Sequence, residues 1–413
     1  MGTDPKQRPH RRAPRNQRLG VWVFGALGGL ATTMVAGARA VARGWSEPHG
    51  LLTETPMFEG ADLPALRGLV FGGHDIRRGC IFDAAREIYE QTGTIPYPML
   101  RQLAPDLRKV TAELRRGTLL NAGRTITRLA DRAPAAKSVR AEVRRLERDI
   151  RAFTKRHKLT QCVCVNLTST EPQLRLGPAH RDLARLEEAI DRDAVRSVRP
   201  SLLYAYVAAK LGHPFIHFTP SNAALVPAVR QSFDDSGVPY MGSDGKTGET
   251  LVKSSLAPMF KYRNLRVLSW QGYNMLGDRD GVVLADADNK RAKVESKDAL
   301  LAGILGYPLH THVGIDYVPS LNDLKTAWDF IHFQGFLGVK MSMQFTWQGC
   351  DAILAAPIVL DLIRLAALAQ RRGETGSLRH LSCFFKRPLD VDQHDLHQQW
   401  HLLADYAQRA RQG

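Results

Sequence analysis

The stretch GVWVFGALGGLATTMVAGARA, Gly20 to Ala40, constrains the fold more than any other part of the chain. It comes after a basic, Pro-rich leader, MGTDPKQRPHRRAPRNQR, and carries small residues in an A-x-A-like pattern at Ala36, Ala38 and Ala40. A basic leader, an apolar run and small residues together outline a secretory signal. The same residues also read as a buried strand (VWVF), a glycine turn (GALGG) and a helix (TTMVAGARAVARG), the opening of a dinucleotide-binding unit. Thr32 and Thr33 interrupt the apolar run, and Arg39 and Arg43 come next at helical spacing. Gly25, Gly28 and Gly29 cluster where a strand would turn onto phosphate, although Leu27 stands at the second glycine of G-x-G-x-x-G. At the head of an alternating series of strands and helices, the stretch reads as a nucleotide cradle.

That alternation runs on from His49. HGLLTETPMFEG, His49 to Gly60, reads as a second strand ending in Glu54, an acid suited to the adenosine ribose hydroxyls. LVFGGHDIR reads as a strand entering a Gly-Gly turn. QCVCVNLTSTEP is an apolar strand stopping at a small polar turn that contains Thr170. SLLYAYVAAKLG is a helix, and PFIHFTPSNAALVPAVRQ repeats strand, polar turn (Thr219, Ser221) and helix. This order predicts α/β architecture with ligand-facing turns at the strand ends.

Composition narrows the function classes. The chain has 413 residues, 44% hydrophobic and 24% charged, which suits a globular protein of two or three domains. The single candidate span excludes a polytopic helical membrane protein, and no membrane partner is expected. Five scattered cysteines form no disulfide framework, and Cys162-Val163-Cys164 lacks zinc-finger spacing. The net charge of +16 is concentrated in the leader and between Arg108 and Lys158. In the latter, Val139, Val143, Leu146, Ile150 and Phe153 recur at helical steps, predicting an amphipathic helix with a solvated Arg/Lys face rather than a nucleic-acid surface. MGSDGKTGETLVKSSLAP lacks the Walker spacing but brings Asp244, Lys246, Glu249 and Lys253 close together. Lys293 and Lys297, four apart, share one face of a helix.

Five motifs then occur in order: YNMLGDRDG, DNKRAKVESK, VPSLNDLKTAWDF, WQGCDAILAAPIVLDL and FFKRPL, preceded by TSTEP, FTPS and GKTGETLVK. The set resembles the myo-inositol-1-phosphate synthase family, most closely its shorter archaeal-type members, from Gly20 to Leu389. The resemblance implies an α/β fold: a modified Rossmann NAD-binding domain plus an α+β catalytic and oligomerisation domain with a mixed sheet. The expected boundaries are a disordered leader (1–18), the NAD-binding domain (19–245), the catalytic and tetramerisation domain (246–345) and a returning segment (346–413). It further implies a cytoplasmic homotetramer that uses NAD to convert D-glucose 6-phosphate to 1D-myo-inositol 3-phosphate. The sequence of steps is oxidation, enolisation, intramolecular aldol closure and re-reduction.

By motif position the catalytic set is Lys246, Lys293, Lys297, Lys325 and Lys386, with Asp323 orienting Lys325 and Asp351 orienting substrate or another lysine. Clustered ammonium groups depress one another's pKa, so one can act as a base while others hold phosphate and stabilise oxyanions. Asn274, Asp278, Asp280 and Lys253 are expected at the substrate. Gly25, Gly28, Gly29, Thr32, Thr33, Glu54, Thr170, Thr219 and Ser221 are expected at the cofactor. A divalent cation (Mg²⁺, Mn²⁺ or Zn²⁺) is a further expectation, with Asp244 as its first ligand. Two other readings stay open: an NAD-dependent oxidoreductase or isomerase of another sugar phosphate, and a nucleic-acid-binding protein on an inactive scaffold.

Overall fold

The apolar run that opens the sequence forms a strand, β1 (Leu19–Phe24), buried along its whole length, and turns into helix α1 (Gly29–Ala42). The structure, a computed structural model, describes residues 18–131, 136–277 and 300–412. Next come β2 (Leu69–Asp75), α2 (Ile81–Thr92), α3 (Tyr97–Thr111), β3 (Leu114–Arg116), α4 (Arg124–Leu129) and α5 (Val139–Arg156). β4 (Cys162–Asn166), α6 (Leu183–Asp191), α7 (Pro200–Lys210), β5 (Phe215–His217), α8 (Pro227–Asp235) and β6 (Pro239–Gly242) continue the alternation.

These strands build a parallel sheet in the order β11-β6-β5-β4-β1-β2-β3, closed by β11 (Gly376–Ser377). Side chains alternate across it, as the two-residue period of a strand requires. Val21, Val23, Val163 and Val165 enter one core with α1 and α3, and Trp22, Phe24, Cys162 and Cys164 enter the other with α5 and α7. Burial on both faces explains why the strands are continuously apolar. After β1 the chain builds β2 and β3 on one side and then β4, β5 and β6 on the other. The strand order therefore reverses between β1 and β4, and open parallel sheets take ligands at that point, beyond the carboxyl ends of the strands.

The second sheet, β10-β9-β7-β8, is mixed. It contains β7 (Arg266–Leu276), β8 (His310–Tyr317), β9 (Leu324–Gln334) and β10 (Lys340–Cys350). Strands β7 and β8 are parallel, and β9 runs antiparallel to both β7 and β10. One face packs Val267, Trp270 and Ile331 against Ala257 and Phe260 of α9 (Gly248–Tyr262) and a helical turn at 300–305. The other face carries a ladder of rings, Tyr273, Trp328, Phe330 and His332. From this sheet the chain returns to the first through α10 (Asp351–Arg371) and ends in α11 (Leu396–Gln412). Helix α10 alone among the described residues is long and apolar enough to cross a membrane. It is mostly buried, packing on α1 and the parallel sheet as a core helix.

Three expectations do not hold in the fold. His49–Gly60 is not a strand: it forms short 3₁₀ turns at Leu52–Glu54 and Pro56–Phe58, with the Leu52 and Thr53 amides donating to Asp361 of α10. The second strand is β2, and its Gly72-Gly73 pair lies inside the strand instead of in a turn. A Cβ on Gly73 would come within 2.2 Å of the Val23 carbonyl oxygen, so the glycine permits close approach to β1. The Arg face of α5 is only partly solvated. Arg145 donates to the carbonyls of Arg116 (2.7 Å) and Gly117 (3.3 Å) and bridges Glu142 and Asp149, which fastens edge strand β3.

Candidate active site

At the end of β1 the chain must reverse in very little space. Gly25 has φ +87°, and a Cβ there would lie 2.8 Å from the Leu167 carbonyl oxygen, so only glycine fits. The Gly28 amide donates to the Gly25 carbonyl at 3.1 Å. As the N-cap of α1, Gly28 offers no side chain to the first helical turn, and the position of a Cβ on Gly29 has nothing within 4 Å. An uncapped helix N-terminus facing open space is suited to a pyrophosphate. Thr32 and Thr33 do not open onto that space: Thr32 is wholly buried and Thr33 nearly so, because the second half of this turn faces the core.

The acid at the turn is Asp75, a residue that sequence reasoning missed. Its carboxylate accepts from the Leu27 amide (2.7 Å) and the Arg77 amide (2.9 Å) at the end of β2. Glu54, expected in that role, instead pairs with Arg364 of α10 at 2.6 Å. The intervening 3₁₀ segment lengthens the β1–β2 connection and moves the strand end downstream. The available signal was the Asp that closes the apolar run LVFGGHD.

Across the crevice, Thr170 lies after β4 and Thr219 and Ser221 lie after β5, all three buried. Asn166 donates to His217 Nδ1 (3.2 Å) and to Thr219 Oγ1 (3.3 Å), while His217 Nε2 lies 2.7 Å from the Ser221 carbonyl. Burial pushes His217 down to about 4, so the ring is neutral and donates from Nε2. The Ser221 hydroxyl accepts from the Glu171 amide at 3.1 Å. The buried Glu171 carboxylate holds the Ser201 amide (2.8 Å) and hydroxyl (2.5 Å) at the start of α7. Burial raises Glu171 to about 7.

The loop after β6 joins this ledge to the second sheet. The amides of Asp244, Gly245 and Lys246 donate to the carbonyls of Thr219, Phe218 and Phe384, and the Lys386 amide donates back to the Asp244 carbonyl. The loop is thus sewn between the end of β5 and the FFKRPL segment. Lys386 Nζ lies 3.0 Å from Asp244 Oδ1. Lys325 Nζ lies 3.4 Å from Asp351 Oδ2, and both groups face Gly248 at the start of α9. Lys246, 1% exposed, donates to Gln399 of α11 at 2.6 Å, and burial lowers it to about 8.

Several expected roles change. Asp323 does not orient Lys325: it accepts from the Cys350 thiol at 2.7 Å, and Asp351 takes the lysine. Lys253 and Asn274 point beneath the loop into a buried cluster instead of outward. Both engage Glu249, the lysine at 2.5 Å and the Asn274 amide at 2.6 Å, while Trp270 donates to Asp329 alongside. The i,i+4 spacing of Glu249 and Lys253 puts them together on the face of α9 that packs on the second sheet. Asp278, Asp280, Lys293 and Lys297 lie outside the described residues. Among the described residues no three His, Cys, Asp or Glu side chains are grouped to hold a metal, and Asp244 engages an ammonium group. No divalent-cation site is therefore seen among the described residues. The open turn at Gly29 does fit a dinucleotide.

Residues 19–408 match the family model for myo-inositol-1-phosphate synthase. The chain is 35% identical to inositol-3-phosphate synthase 1 of Bacteroides thetaiotaomicron, across 94% of this chain and 95% of that one. It is 28% identical to inositol-3-phosphate synthase of Dictyostelium discoideum, across 86% and 75% respectively. Among solved structures, inositol-3-phosphate synthase from Caenorhabditis elegans superimposes with a TM-score of 0.87 at 21% identity, covering 96% of this chain and 86% of that one. A myo-inositol-1-phosphate synthase-related protein from Thermotoga maritima gives 0.76 at 20% identity, covering 95% and 99%. The two structures share the fold of this chain. With the full-length family match added to the glycine turn, the ledge and the lysine loop, the chain belongs to the NAD-binding myo-inositol-1-phosphate synthase family.

Proposed function

We propose that the protein is an inositol-3-phosphate synthase, converting D-glucose 6-phosphate to 1D-myo-inositol 3-phosphate. The observation that carries this reading is the meeting of Lys325, Lys386, Asp244 and Asp351 around one loop beside the nucleotide crevice. Bound NAD supplies a reversible hydride acceptor for carbon 5 of the sugar. The residues of the chain do the rest. The turn at Gly25–Gly29 and Asp75 would hold the dinucleotide, and the Thr219–Ser221 ledge lines its far side. Lys325 and Lys386 supply ammonium groups for the phosphate and for the oxyanions of enolisation and ring closure. Asp351 and Asp244 hold those ammonium groups in place when substrate is absent. Lys246, brought by burial to about 8, is within reach of proton exchange near neutral pH. No divalent cation is assigned a step.

The test is incubation of the purified protein with NAD and glucose 6-phosphate. Inositol phosphate forming without net accumulation of NADH is the expected result. Bound cofactor with no inositol phosphate would favour another sugar phosphate as substrate. The same reading extends to a homotetramer joined through the second sheet, supported by the face bearing the exposed Tyr273 and Trp328 and by the exposed Phe336 and Leu337 in the β9–β10 turn. A cytoplasmic location is supported by five cysteines, all free.

A further inference from the structure

A second concavity lies at the opposite edge of the parallel sheet from the lysine loop. It is a cavity of about 460 Å³ at the amino ends of β1 and β2, walled by α3, the last turn of α1 and the residue after α5. Strands of six and seven residues separate it from the nucleotide crevice, roughly 20 Å at about 3.3 Å per residue. It therefore forms no part of the nucleotide crevice or of the lysine loop.

The lining is cationic in a way that folding alone does not require. Arg18, Arg39, Arg67 and Lys109 face two carboxylates, Asp106 and Glu113. Both carboxylates are already engaged by other cations. Asp106 pairs with Arg43, and Glu113 pairs with Arg156 and with His157, the latter at 2.9 Å. Burial tends to raise Glu113, but its bonds to Arg156 and His157 outweigh this and keep it below its ordinary value, hence ionised. Arg18 donates to the His157 carbonyl at 3.2 Å, and Arg67 and Lys109, both exposed, have no acidic partner among the described residues. Arg39 donates from Nη2 to the Leu69 carbonyl at 2.7 Å, yet its Nε is buried with no hydrogen-bond partner. Burial lowers its pKa, with the Asp106 carboxylate opposing the shift and Arg43 adding to it. The floor between these cations is apolar, formed by Phe71 and Val110, with the Arg39 guanidinium over the Phe71 ring.

We propose that this cavity is a second ligand site, taking a small phosphorylated metabolite whose anionic group meets Arg39, Arg67 and Lys109 and whose carbon skeleton lies against Phe71 and Val110. A half-buried arginine flanked by two exposed cations without acidic partners among the described residues matches the several acceptor oxygens of a phosphate group. The apolar floor favours an organic phosphate over a bare inorganic ion. The cavity volume lies in the range of small-molecule sites.

The test uses inorganic pyrophosphate as a probe for the anionic subsite, by calorimetric titration of the full chain with NAD saturating, so that the glycine turn is filled. Three proteins are compared: the natural sequence, Lys386→Ala and the double variant Arg67→Glu/Lys109→Glu. Binding should persist in Lys386→Ala and weaken tenfold or more in the double variant. Arg67 and Lys109 are exposed, so the double variant should keep its NAD affinity and melting temperature. If it does not, Arg67→Ala serves instead, with at least threefold weakening expected. Pyrophosphate binding that is absent from the natural sequence, or unchanged by the Arg67 and Lys109 substitutions, or lost in Lys386→Ala, overturns the proposal. Because the readout is binding at NAD saturation, the outcome is independent of whether glucose 6-phosphate is the substrate.

Discussion

Lys325 and Lys386 reach the same loop from strand β9 and from the FFKRPL segment. Among the described residues each pairs with one carboxylate, Asp351 and Asp244 respectively, at 3.4 and 3.0 Å. Neither lysine sits at the glycine turn. Changing either to Ala should therefore lower turnover by about 10²–10³-fold, the range for a lost oxyanion-stabilising donor, while leaving NAD binding intact. Steady-state assay and equilibrium NAD titration of each variant check this, and a variant at near-full rate removes that lysine from the chemistry. Asp75 makes the opposite prediction. It satisfies the Leu27 and Arg77 amides, so Asp75→Ala strips an acceptor from a buried turn at a cost of about 1–3 kcal/mol. NAD affinity should fall at least tenfold, with turnover at saturating NAD much less affected. Equal losses in both would show that the turn and the chemistry are not separable.

Helix α7 is fastened at its start by a side chain from outside the helix. Glu171 accepts from the Ser201 amide and hydroxyl, where Pro200 opens the helix without a side-chain cap. Burial raises this carboxyl from 4.5 to about 7. The folded protein then holds a proton that the unfolded chain releases between those values. Stability from this group is complete below pH 4.5 and is lost as pH rises through 7, by up to roughly 3 kcal/mol. Gln at this position offers an acceptor for the Ser201 amide and carries no charge. The stabilising effect of Glu171→Gln, read as the difference in melting temperature from the natural protein, should grow between pH 5 and pH 8. A difference independent of pH would mean that Glu171 is not proton-linked. Helix α5 shows a related division. Its apolar stripe, Val139 to Phe153, is buried as its period predicts, while Arg145 on the polar side reaches strand β3. Helical period reports which face is apolar and says nothing of what the polar face meets.

For the whole molecule, the two sheets are handled differently. The parallel sheet is covered on both faces, and the described residues cover the mixed sheet on one. Its other face leaves Trp328 36% and Tyr273 38% exposed, and Phe336, in the β9–β10 turn, is 88% exposed. If tetramer contacts use this face, Trp328→Glu should shift the protein to a smaller species by light scattering after size-exclusion chromatography, with unchanged circular dichroism. A tetramer that survives the substitution puts the interface elsewhere.

Local pattern alone determined much of this protein. The apolar run, the glycine cluster and the helix after it are set by neighbours in the chain, through φ at Gly25 and side-chain period, so β1, the turn and α1 could be read directly. The α/β alternation and the small polar turns after β4 and β5 were legible for the same reason. The ordered motifs marked the lysines, but not their partners. Only the tertiary structure decided that Asp75 and not Glu54 reaches the glycine turn, because the pairing of β1 with β2 brings His74 opposite Phe24. Only it decided that Asp351 and not Asp323 meets Lys325: the β9–β10 register sets Lys325 across from Gly349 and carries the chain on to Asp351 beside it. Lys253 and Asn274 turned inward because α9 lies flat on the mixed sheet, a contact between segments that no local period encodes. Electrostatic partners are chosen by register and packing across long separations, and a linear pattern carries only the residues that those contacts will select.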